Sequence, residues 1–139
     1  MASGRTHTLA TLTAGAVGVF HFAEDGNYLF ASAWLAAALY CTIATPDNDQ
    51  LDNGGAYCLQ VARETWRPLE RMTRVYWTPY AKLFSHRSFY THAPIVGTLI
   101  RMVYAMPYLV FALDVLLSPF GAQFVTAIIA MDALHWIMD

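Results

Sequence analysis

The chain has 139 residues, 57% of them hydrophobic and 13% charged, with a formal net charge of −2. That length fits one domain, and the composition excludes a disordered chain, a basic nucleic-acid binder and a charged coiled coil. An apolar soluble bundle and a membrane protein both remain, and the placement of the eight basic and ten acidic residues decides between them.

The first apolar stretch runs over about residues 8–23, with His21 as its only titratable group. As a helix it would be ~24 Å long, short for a bilayer core of ~30 Å. Glu24-Asp25-Gly26-Asn27 breaks it. The second stretch, 28–45, holds no charged residue. It would be ~27 Å long and has no polar face to turn toward water. Pro46 and an acidic run close it. The third stretch, 95–117, carries only Arg101 and Asp114. After Ser118-Pro119 the fourth, 120–138, carries only Asp132. The expected fold is all-α: a single integral-membrane domain over 1–139, built as a four-transmembrane-helix bundle. A cytoplasmic or interfacial helical segment at 46–94 joins helices 2 and 3. The soluble bundle is the weaker rival because of the charge-free second stretch.

Four spans place both termini and the 46–94 segment on one side. Arg5, Arg63, Arg67, Arg71, Arg74, Lys82 and Arg87 all fall there, whereas the opposite loops carry Glu24 and Asp25 and no basic residue. The positive-inside bias then predicts an inner-membrane protein with both termini cytoplasmic. Cys41 and Cys58 have no C-x-x-C spacing and read as reduced thiols in that compartment.

Within 46–94, Arg63, Arg67, Arg71 and Arg74 recur at helical spacing, with Tyr57, Trp66, Tyr76, Trp77 and Tyr80 among them. Pro68 and Pro79 predict two or three short helices, with Thr78 capping one that starts at Pro79. A basic and aromatic helix suits the headgroup layer, which makes the lipid bilayer a partner. A solvated face with ion pairs to Glu64 and Glu70 explains the same residues, and no nucleic-acid partner is expected.

The metal-competent groups gather near the cytoplasmic helix ends: His7, Asp47, Asp49, His86, His92, His135 and Asp139, with Asp132 one turn deeper. Asp132, His135 and Asp139 share a helix face at i, i+3 and i+7. Ionisable groups close to a membrane interior are costly and tend to be functional. A nitrogen and oxygen donor set suits Zn²⁺, with Mn²⁺ or Fe²⁺ as alternatives, and the number of ligands allows one or two ions. Asp132 is either a general base or the partner of Arg101 in a buried pair.

Ser3-Gly4-Arg5-Thr6-His7, Pro46-Asp47-Asn48-Asp49, Trp77-Thr78-Pro79-Tyr80-Ala81-Lys82-Leu83-Phe84, His86-Arg87-Ser88-Phe89-Tyr90-Thr91-His92-Ala93-Pro94 with Gly97-Thr98, and His135-Trp136-Ile137-Met138-Asp139 occur in that order. The pattern resembles the uncharacterised bacterial and phage family of metal-binding membrane proteins, related to inner-membrane metal-dependent hydrolases, over essentially the whole chain. The H-R-S-F-x-x-H-x-P block is its most specific part, and Asn48 stands where a hydrophobic residue is common. The resemblance implies metal ligands at His7, Asp47, Asp49, His86, His92, His135 and Asp139, and hydrolysis as the activity. A more remote likeness to zinc-dependent phospholipase C and P1-type nucleases implies phosphodiester chemistry.

The expected function is therefore a metal-dependent hydrolase acting on an ester or phosphoester at the cytoplasmic membrane face. Asp49 is ligand or base, and Arg87 contacts a substrate anion or an internal carboxylate. The alternative is a non-enzymatic small subunit of a larger membrane assembly, or a homo-oligomer, in which metal ties helix ends together.

Overall fold

The computed structural model describes residues 4–49, 66–84, 88–106 and 113–138. Helix α1 (Gly4–Glu24) turns at Asn27, whose side chain accepts from Phe30 N–H at 3.2 Å and caps α2 (Tyr28–Ile43). A 3-10 turn, Pro46–Asp49, follows. The buried Asn48 amide donates to the Ile43 carbonyl at 2.8 Å, satisfying one of the acceptors that the end of α2 leaves open. Then come α3 (Arg67–Leu83), α4 (Phe89–His92), α5 (Val96–Ala105), α6 (Leu113–Leu116) and α7 (Pro119–Met138). Ser118 Oγ accepts from Gly121 N–H at 3.1 Å, so Ser118-Pro119 opens α7 as cap and first position. The described elements are all helical.

Helices α1, α2 and α7 pack together, with small residues inside. On α1 the buried stripe is His7, Thr11, Gly15 and Gly18, at spacings of four, four and three. A Cβ at Gly15 would land on the Ala38 side chain and one at Gly18 on the Trp34 ring, so both glycines are needed for α1 to approach α2. On α2 the interior holds Ala31, Ala33, Ala37, Ala38, Tyr40 and Cys41, while Leu29, Leu35, Leu39 and Ile43 point outward. Small side chains thus line the interior of α2, and larger apolar ones face outward.

Only two of the described helices, the α2 stretch and α7, are long and apolar enough to cross a membrane, so the expected four-span bundle is reduced to two candidate spans. Helix α1 spans 21 residues but is diluted by Thr, Gly and His. The 95–117 stretch is not one helix among the described residues. Helix α5 ends at Ala105 because Met106 precedes Pro107, and a residue before proline is driven out of the α region. Met106 has φ −133° and ψ 59° accordingly.

The expected helix start at Thr78-Pro79 is not found, nor is the division there into shorter helices. Helix α3 begins at Arg67, with Pro68 in its first turn, and runs through Pro79 to Leu83. Thr78 Oγ donates to the Arg74 carbonyl at 2.7 Å instead of capping a new helix. Packing overrides the missing Pro79 N–H: Trp77 and Tyr80 are buried on either side of it. Tyr76 OH sits 2.9 Å from the Tyr104 carbonyl and 3.1 Å from that of Ala105, at the open end of α5.

Candidate metal centre

The buried stripe of α1 starts at His7 and that of α7 ends at His135, while Asp47 lies in the turn just past α2. The three side chains therefore meet at one end of the bundle. Each offers a ligand atom, and these atoms lie within 4.8 Å of one another. His7 and His135 are both 5% exposed. Their rings stack at 3.9 Å between centroids, and His135 Nε2 lies 3.5 Å from Asp47 Oδ1. Burial pushes the Asp47 carboxyl up, but the close approach of His135 and the charges of His135, His7 and His92 outweigh it. The group is held below the usual carboxylate range, as an anionic ligand must be.

His92 approaches from α4, its ring centroid 6.1 Å from that of His135. Thr91 Oγ lies 2.8 Å from His92 Nδ1, which fixes the ring and makes Nε2 the atom that would ligate. Behind this sits a polar spine. Arg101 donates to the Thr91 carbonyl at 2.6 Å and pairs with Asp132, which also accepts from Thr98 Oγ. The spine links α4, α5 and α7 and braces the segment that carries His92. A Cβ at Gly97 would strike the Thr91 carbonyl, so glycine there lets α5 close on α4.

Residues His7, Asp47, His92 and His135 are thus brought to one end of the bundle, with Asp132 beside them. Asp132 is in the Arg101 pair, the second of the two roles expected for it. Arg87, His86 and Asp139 lie outside the described residues, as does the side chain of Asp49. Thr91, Thr98 and Asn48 contribute as well; all three fall within the blocks that carry the resemblance, though none is a metal-ligating residue type. The adjacency of Thr91 to His92 is the sequence hint of its orienting role.

A small cavity of about 10 Å³ lies among His7, Thr11, Cys41, Thr45, Asp47 and His135. That is about the room an ion or a single water needs. Thr45 Oγ is buried there without a hydrogen-bond partner among the described residues. Two imidazoles, a carboxylate and an orphaned hydroxyl around so small a space fit a divalent ion.

The sequence model of the uncharacterized metal-binding protein family (DUF2227) matches residues 2–138. No curated protein and no solved structure matches the chain.

Proposed function

The chain belongs to the uncharacterized metal-binding protein family (DUF2227), and on that basis we propose that it holds a divalent ion, Zn²⁺ first, at the end of a membrane-embedded helical bundle. His7, Asp47 and His135 are the ligands. Convergence of three ligand atoms from separate elements within 4.8 Å carries this reading. The outward-facing Leu35, Leu39 and Ile43 of α2 over an alanine interior support the membrane setting. The proposed orientation puts the centre at the cytoplasmic face, following the basic residues.

A three-ligand set leaves the fourth tetrahedral position to His92 or to water. With water there, the centre has the composition of a hydrolytic one, and hydrolysis of an ester or phosphoester is its proposed activity. A divalent ion would supply Lewis acidity and lower the pKa of water at that position toward ~7. The chain's own part is to hold His7 and His135 against one another, to keep Asp47 anionic, and to orient His92 through Thr91. With His92 in the fourth position the set is saturated and the ion ties α1, the 3-10 turn, α4 and α7 together. His92, with its ring centroid 6.1 Å from that of His135, is the side chain placed nearest for this second reading, but it is outside the group whose ligand atoms lie within 4.8 Å of one another.

X-ray absorption on the purified zinc form separates the two. Two imidazoles, one carboxylate and an exchangeable oxygen at about 2.0–2.2 Å support the hydrolytic centre. Three imidazoles and no exchangeable oxygen support the structural one.

A further inference from the structure

Helix α3 has three faces, and the fold uses one. Trp77 and Tyr80 are buried, and Thr73 and Phe84 are partly buried on the same side. Arg67, Glu70, Arg71, Arg74, Thr78 and Lys82 form a polar face. The third face is apolar and exposed: Leu69, Met72 and Leu83, with Met72 and Leu83 exposed by 66% and 73%, while Val75 lies at its border with the polar face. At 3.6 residues per turn Met72, Leu83 and Leu69 lie roughly 140–200° around the helix from Arg67, and the buried strip separates Leu69 from Glu70.

An apolar groove of about 710 Å³ joins this face to α2, lined by Leu39, Ile43, Leu69, Met72 and Tyr76. Leu39 and Ile43 belong to the outward surface of α2, the surface proposed to meet lipid. The uncovered face of α3 therefore continues that surface sideways at the level where α2 ends. On the opposite side Arg74 is paired with Glu70 at 3.2 Å, whereas Arg67, Arg71 and Lys82 are exposed, so the face is net positive.

We propose that α3 lies in the headgroup layer of an anionic bilayer, with Leu69, Met72 and Leu83 toward the acyl chains and Arg67, Arg71 and Lys82 among the anionic headgroups. An uncovered apolar stripe opposite a basic one is the pattern of an interfacial helix. Charge complementarity and continuity with α2 select lipid over a protein partner. The inference rests on the membrane reading and is independent of the metal.

The test uses the full chain carrying Cys58→Ser, with an environment-sensitive fluorophore on Met72→Cys or Arg67→Cys; the native Cys41 is buried. The vesicles are phosphatidylcholine alone or mixed with phosphatidylglycerol. The expected result is blue-shifted emission from position 72, quenched by a lipid-borne quencher and not by iodide, and water-like emission from position 67. Phosphatidylglycerol should deepen the label at 72. Arg67→Gln, Arg71→Gln and Lys82→Gln together should weaken that lipid preference by roughly tenfold or more. Water-like emission at 72 in chain that cofractionates with vesicles overturns the inference and leaves the membrane reading standing. Shielding of 72 from both quenchers places a protein on the face and also overturns it. Failure of the chain to cofractionate with vesicles removes the membrane reading and the inference with it.

Discussion

Asp132 and Arg101 are 4% and 1% exposed, and each is tolerated inside the bundle because of the other. Both lie seven residues from the helix-end landmarks Asp139 and Pro94, so their pairing was legible as a matched depth. What spacing could not supply was the third member, the Thr91 carbonyl that Arg101 also binds, because α4 and its angle to α5 are set by packing. Removing one partner of a buried pair leaves an uncompensated charge at a cost of about 3–5 kcal/mol. Asp132→Asn should therefore destabilise the detergent-solubilised chain by that order in thermal unfolding, and the double change Asp132→Leu with Arg101→Met by much less. Because the spine braces the turn that carries His92, Asp132→Asn should also weaken zinc binding by roughly 10–100-fold if His92 ligates. Equal stability of the single and double variants would contradict the pairing argument.

At the scale of elements, patterning located α1, α2 and α7 to within a few residues, because charge-free runs between cap signals leave few choices. It failed where a proline had to be weighed against tertiary contacts. Pro79 was read as a start, yet the burial of Trp77 and Tyr80 carries α3 through it. Pro107 sits inside an apolar run that otherwise reads as continuous, yet α5 ends two residues before it, with Met106 out of the helical region. Helix association was least visible in the sequence, since Gly15 and Gly18 look like mere dilution of α1 until they are set against Ala38 and Trp34. Gly18→Ala should cost about 1–3 kcal/mol, the usual range for overpacking, and should reduce metal retention because α1 also carries His7. Its readout is the melting temperature together with zinc content. A variant equal to the parent in both would show that α1 does not approach α2 this closely.

For the whole molecule, the scarcity of polar groups is what made the centre readable. In a chain with 13% charged residues, the buried ionisable side chains stand out. His7, Asp47, His92 and His135 are gathered at one end by the antiparallel course of α1 and α2 and by α7 running alongside α2. That course follows from chain order and short turns. Which of the sequence candidates meet most closely did not follow, because His7 and His135 are 128 positions apart and only packing stacks their rings at 3.9 Å. The central claim is that this end of the bundle binds metal through residues from several helices. Its most direct test is the metal content of the full chain purified without added chelator, beside His7→Ala and His135→Ala variants that retain helical content. The account predicts a stoichiometric divalent ion in the parent and its loss from both variants. A metal-free parent that takes up none of Zn²⁺, Mn²⁺ or Fe²⁺, or an equal content in all three proteins, would contradict it.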